Sequence, residues 1–240
     1  MLVDTRVARR AAGYASLTEA DTVLEIGPGK GVLTRFLARE AGRVVAIEMD
    51  RRFTSFLQAM PANVELVFAD ALTWEWPVFT KAVANLPYSI SSPVTFRLLE
   101  HGFELAVLMY QKEFAARMVA RVGSEGYSRL GVEVFRRAQC RILEEVPPSA
   151  FSPPPRVVSA IVELRPRPCP FRIDDGGTFS AVTRALFSHR RKSAANALRS
   201  EERLLGGILS GLDADDPLLK RRAESLSPEE IAQLSNSLAR

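Results

Sequence analysis

Asn85-Leu86-Pro87-Tyr88 is the stretch of this chain with the most chemistry to offer. It follows Lys81-Ala82-Val83-Ala84, which reads as a short buried strand, so the four residues would form the turn at that strand's C-terminal edge. In open α/β sheets ligands bind at this edge. The turn offers the Asn85 amide oxygen, the Leu86 carbonyl, a backbone stiffened at Pro87 and the flat ring of Tyr88. That set suits a planar base bearing an exocyclic amine. An adenine amine is a poor nucleophile because its lone pair is delocalised into the ring. Two acceptors taking both of its hydrogens would favour a pyramidal nitrogen, its lone pair aimed at an electrophile. Tyr88 would stack on the base face, a contact of roughly 1–3 kcal/mol.

A second constellation lies upstream. Glu25-Ile26-Gly27-Pro28-Gly29-Lys30-Gly31 spans the end of one strand and the opening of a helix. Glycines there let a ligand approach the backbone closely. Glu48 ends the next strand, where a carboxylate accepts bonds from both hydroxyls of a ribose. Asp70 ends the third, in Phe68-Ala69-Asp70-Ala71, and could accept from an adenine amine. Acids at three successive strand ends with glycines between them describe a nucleoside pocket; taken singly, each reads as a cap or a surface residue. A dinucleotide fingerprint would put its third glycine at position 32, which is Val32 here. The spacing therefore argues against NAD. S-adenosylmethionine, with ribose, adenine and a positive sulfonium, suits an acidic pocket better.

The elements that would position these groups alternate. Strands are expected at 23–26, 43–48, 64–68, 81–84 and 105–110, and helices at 32–40, 51–60, 93–100 and 113–121. Such alternation means βαβ units around a parallel sheet. Two closing strands, 141–146 and 159–164, would be joined across the proline-rich Phe151 to Pro155 loop. Prolines at alternate positions in Arg165 to Pro170 make a stiff connector. Beyond it only helical periodicity appears, at 179–188, 194–199 and 228–238. The expected division is a catalytic domain over 1–173, with its linker at 165–173, and a small helical domain over 174–240.

With 240 residues, 47% apolar and 25% charged, the chain is an ordinary globular one. Cys140 and Cys169 show neither disulfide nor metal-ligand spacing, and no metal is expected. No apolar run approaches ~18 residues and no signal-peptide pattern is present. A cytoplasmic, monomeric protein is the expectation. The net charge of +4 permits nucleic acid without requiring it. Arginine far outnumbers lysine, and Arg190-Arg191-Lys192 and Lys220-Arg221-Arg222 are basic triplets suited to phosphate or simply to a solvated surface.

These motifs together resemble the small-subunit ribosomal RNA adenine dimethyltransferases (KsgA-like), with an archaeal look. The resemblance runs over nearly the whole chain. Besides the glycine loop and the Asn85 turn with Ile90-Ser91-Ser92-Pro93, it includes Gln111-Lys112-Glu113, Tyr127-Ser128-Arg129-Leu130 and Val146 to Val157 with Ser159-Ala160. His189-Arg190-Arg191-Lys192 matches the start of a basic helix. The resemblance implies a Rossmann-like class I methyltransferase sheet of seven strands, the last antiparallel, plus a small all-α C-terminal domain. It implies S-adenosylmethionine as cofactor and, as substrate, two adjacent adenosines near the 3′ end of small-subunit rRNA, each dimethylated late in subunit assembly. Leu2, Glu25, Gly27, Gly29, Gly31, Glu48, Asp70, Ala71 and Asn85 would contact the cofactor. Asn85 to Tyr88 would hold the base, and Phe151 would cover its other face or pack the proline loop. Arg190, Arg191 and Lys192 would contact RNA. Family members usually carry a Gly-Gln-Asn-Phe-like segment before the position of Leu2. Here Met1 stands where its phenylalanine would be, so the expectation is either a true start further upstream or a protein that lacks part of this lid.

The expected reaction is direct transfer from sulfonium to amine, with positioning supplying most of the catalysis. No general base is required, and His101 and His189 read as structural or RNA-facing. A large-subunit rRNA methyltransferase of the antibiotic-resistance type shares this pocket. So would a DNA adenine methyltransferase, though no added target-recognition domain is visible. A non-catalytic assembly factor on the same fold would be expected to lose Asn85 or Glu48.

Overall fold

Strands dominate where β-branched and small apolar residues run together. In the computed structural model, which describes residues 1–206, 209 and 215–238, α1 (Thr5–Tyr14) precedes β1 (Thr22–Ile26), α2 (Thr34–Glu40) and β2 (Arg43–Glu48). Then come α3 (Thr54–Leu57), β3 (Val64–Phe68), β4 (Lys81–Asn85), α4 (Ser91–Glu100), β5 (Leu105–Gln111) and α5 (Lys112–Met118). After α6 (Arg129–Arg137), β6 (Ala138–Val146) and β7 (Ser159–Pro166) close the sheet. The remaining helices are α7 (Gly176–Ser188), α8 (Ala194–Ser200), α9 (Glu202–Leu205) and α10 (Pro228–Leu238).

The seven strands are ordered β3-β2-β1-β4-β5-β7-β6. The pairs from β3 to β5 are parallel, and β7 runs antiparallel to both β5 and β6. The order reverses at β1, and β4 lies on the other side of it, so the ends of β1 and β4 flank a topological switch point. Central strands are buried along their length, as in β5, where Leu105 to Tyr110 are all inaccessible. One face of the sheet meets Val7, Ala8, Ala11 and Ala12 of α1 together with Leu33 and Leu37. The small alanines on that α1 face let the helix lie close.

Three helices depart from expectation. α1 went unread because its apolar face is alanine-rich; its signal is Asp4, which caps the helix by accepting from Arg6 N at 2.8 Å. α6 went unread because Gly131-Val132-Glu133-Val134 alternates like a strand. The expected helix over 51–60 is shortened to a 3₁₀ turn at Arg51–Phe53 and the single turn of α3.

The chain forms two compact units, 1–116 with 138–166, and 117–137 with everything described from 167 on. This differs from a boundary at 173, because 117–137 belongs to the second unit. Tyr127 and Val132 lie in that unit's core with Phe179, Val182 and Leu186, and Tyr127 Oη donates to the Leu226 carbonyl at 2.9 Å. Arg165 and Pro166, expected in the connector, extend β7 instead. The expected helical domain also takes in 207, 208, 210–214, 239 and 240, which lie outside the described residues. No helix among the described residues is long and apolar enough to cross a membrane.

Candidate active site

At the carboxyl ends of β1, β2 and β4 the first unit opens a cleft of about 360 Å³. Gly27 and Gly29 form one wall, Glu48, Asp50 and Phe53 another, and Asn85 to Tyr88 a third, with Met1, Phe151, Pro153 and Pro155 completing it. Thus the glycine loop, the β2 carboxylate, the Asn85 turn and Phe151 share one cavity. Leu2, Glu25, Gly31, Asp70 and Ala71 are not among its lining residues.

The glycine loop is shaped by necessity. Gly27 has φ +70°, and a Cβ there would lie 3.1 Å from Pro87 Cδ. The loop after β1 and the turn after β4 therefore touch, and only a residue without a side chain permits it. Gly29 N donates to Glu48 Oε2 at 3.0 Å, and Asp50 N donates to Oε1 at 2.9 Å. Both carboxylate oxygens are held, and each keeps a further lone pair for a ligand. Gly31 acts locally: its N–H donates to the Pro28 carbonyl at 2.9 Å and its carbonyl accepts from Arg35 N.

Glu25, beside the loop, is fully buried. Neither its Oε2 nor the buried Thr34 hydroxyl has a hydrogen-bond partner among the described residues. Burial pushes the Glu25 carboxyl up to about 8; the nearby Thr34 hydroxyl opposes this and the Glu48 charge adds to it.

The turn after β4 keeps its acceptors unused. No hydrogen bond engages the Asn85 carboxamide or the Leu86 carbonyl among the described residues, while the Pro87 carbonyl takes the Ile90 N–H at 3.1 Å. The Tyr88 hydroxyl lies 2.6 Å from the Ser159 hydroxyl at the start of β7, which fixes the ring. Phe151 is set by backbone pairing with Leu2, flanked by Val3 N to the Ala150 carbonyl at 2.9 Å and Ser152 N to the Met1 carbonyl at 2.8 Å. Leu2 itself points into the core.

Asp70 is exposed and turns back on its own chain, accepting from Leu72 N at 2.8 Å. Its loop is locked from α4: Arg97 donates to the Ala71 carbonyl at 2.7 Å and the Trp74 carbonyl at 2.6 Å, and lies 4.4 Å over the Trp76 ring. Asp50 and Phe53 were missed in sequence. The available signal was their position just past the Glu48 strand end. His101 stacks on Phe79 at 4.6 Å and lies outside the cleft lining, and burial pushes the Cys140 thiol up to about 12, leaving it inert.

In the second unit the basic triplet is largely engaged. Arg190 donates to Glu224 through Nε at 3.1 Å and Nη2 at 2.9 Å, and to the Glu125 carbonyl at 3.1 Å. Lys192 Nζ donates to Ser200 Oγ at 2.9 Å, and His189 Nε2 sits 2.8 Å from Glu201. Arg191 is exposed, and no partner engages it among the described residues.

Seven strands in this order, with only the last reversed and a cleft at the switch point, define a class I methyltransferase fold. The chain belongs to the ribosomal RNA adenine dimethylase family, whose model matches residues 1–240. A relative from Methanosarcina mazei, named a probable ribosomal RNA small subunit methyltransferase A, is 44% identical over 99% of this chain and 90% of its own. One from Thermococcus gammatolerans with the same name is 46% identical over 97% and 84%. A crystal structure of a dimethyladenosine transferase from Plasmodium falciparum is 29% identical, covers 98% of this chain and 95% of its own, and superposes with TM-score 0.81. The 23S rRNA methyltransferase ErmE is 31% identical over the full length of both chains, with TM-score 0.70.

Proposed function

We infer that the protein dimethylates the exocyclic amines of two adjacent adenosines near the 3′ end of small-subunit rRNA, with S-adenosylmethionine as methyl donor. The observation that carries this reading is the pair of unengaged acceptors at Asn85 and Leu86, set on a rigid strand end inside a cleft walled by Gly27, Gly29 and Glu48. The 44–46% identity to relatives named for the small subunit favours that target over the large one.

The donor set fits the cofactor. Glu48, already oriented by two backbone N–H groups, would take the ribose hydroxyls. The loop of Gly27 and Gly29 admits the chain of the cofactor close to the backbone, and the buried Glu25, once ionised, would balance its positive charge. Asp70 and Ala71, held by Arg97, would meet the adenine. When bound, the cofactor supplies an electrophilic methyl group on a sulfonium.

The Asn85 amide oxygen and the Leu86 carbonyl accept both hydrogens of the target amine and turn its lone pair toward that methyl. Tyr88 and Phe151 hold the base between them, which requires it to leave its stack; this costs least in a loop or at an end. The proton of the methylated amine passes to water. Arg190, Arg191 and Lys192 would contact the rRNA, Arg191 with the most freedom to do so.

Asn85→Ala tests the assignment. Cofactor affinity, measured by calorimetry, should stay within a few-fold of wild type, while turnover falls by about 10²–10³-fold. Turnover like that of wild type would sink the mechanism.

A further inference from the structure

The second unit holds a cavity of about 340 Å³ that shares no lining residue with the cleft. Its size lies within the roughly 300–1,000 Å³ range of small-ligand sites. Arg117, Arg129 and Arg190 line it against a single carboxylate, that of Glu125, and Phe187 supplies an aromatic wall. Such a set reads as a receptor for an anion attached to a flat group.

Arg190 is held in place through Glu224 and the Glu125 carbonyl. The loop that carries the cavity is tied down as well: Gly123 N donates to the Glu224 carbonyl at 2.8 Å. Phe187 is braced edge-on by Tyr127, with ring centroids 5.4 Å apart. A guanidinium held as Arg190 is gives up little side-chain entropy when it takes a phosphate, unlike a surface lysine. Ser128 also lines the cavity, and its buried hydroxyl has no hydrogen-bond partner among the described residues.

We propose that this cavity holds one nucleotide of the RNA substrate, its phosphate against Arg117, Ser128, Arg129 and Arg190 and its base on Phe187. The proposal rests on the functional reading above and gives it a second, non-catalytic anchor for RNA. It also accounts for Tyr127-Ser128-Arg129, a motif with no part in the methyl-transfer chemistry.

The test is filter binding of small-subunit rRNA across a salt series, with wild type, Arg117→Ala and Phe187→Ala. Removing the Arg117 charge should weaken binding roughly tenfold and lower the salt slope by about 1. Removing the Phe187 ring should weaken binding at least about fivefold with the slope unchanged, because stacking releases no counterions. Variants that bind as wild type does, with the same slopes, overturn the site. As a check independent of variant folding, wild-type protein is treated with phenylglyoxal with and without rRNA. Arg117 and Arg129 should be shielded by rRNA but not by polyglutamate. No shielding overturns the site, and equal shielding by polyglutamate makes it a protein-docking surface instead. Wild-type protein that binds no small-subunit rRNA would contradict the functional reading itself, whereas equal binding by wild type and variants contradicts only this cavity.

Discussion

The cleft of the first unit and the basic corner of the second treat their polar groups in opposite ways. In the cleft, Asn85 and Leu86 stand on a strand end whose backbone satisfies itself, and their outward oxygens have no partner among the described residues. At the basic corner, Arg190, Lys192 and His189 already have partners, and among the described residues Arg191 alone of the tetrad does not. A motif at a strand end keeps its hydrogen-bonding capacity for a ligand. A run of charges in sequence says little about how much charge is available, because helix packing places carboxylates beside it.

The comparison is broken hardest at Gly27. Gly27→Ala forces a side chain into a φ +70° backbone and against Pro87. Displacing the Asn85 turn by about an ångström should cost about 10²-fold in turnover, read in steady-state assays. Next comes Glu48→Gln, which turns an amide donor toward one of the two N–H groups now bound. Cofactor affinity should fall roughly tenfold or more, and calorimetry measures it. Smaller effects are expected in the second unit, where the two neighbouring arginines should separate. Arg191→Glu should weaken rRNA binding about tenfold and flatten its salt dependence while leaving the melting temperature alone. Arg190→Ala should also lower stability, by about 1 kcal/mol, since its guanidinium bridges Glu224 and the Glu125 carbonyl.

The subtlest prediction concerns pH. Glu25 keeps its proton in the folded protein up to about 8 and loses it near the ordinary carboxylate value when unfolded. Its contribution to stability is therefore full below about pH 4.5 and is lost as the pH rises through about 8. Chemical denaturation between pH 5 and 8 should show this fall, and Glu25→Gln should flatten it. Cofactor affinity should move the other way, rising toward pH 8 as the ionised carboxylate becomes available to a cationic ligand.

Much of the cleft was legible because its residues are fixed by strand ends. Glu48 and Asn85 lie where continuous buried apolar runs stop, and the ends of those runs mark the strand ends. Phe151 was reachable only through the resemblance, since what places it is pairing with Leu2 far away in sequence. The domain boundary was misplaced for a similar reason. The membership of 117–137 in the second core depends on Tyr127 and Val132 meeting Phe179 and Leu186, a contact no local pattern announces. Asp70 lies two residues past the end of β3, and its side chain accepts from Leu72 N, a local contact the strand pattern does not announce.

The most direct test is methyl transfer from labelled S-adenosylmethionine to unmethylated small and large ribosomal subunits, followed by mapping of the labelled bases. The expected product is a pair of adjacent dimethylated adenosines near the 3′ end of the small-subunit rRNA, with the large subunit unlabelled. Label on the large subunit alone, or none despite bound cofactor, would contradict the assignment.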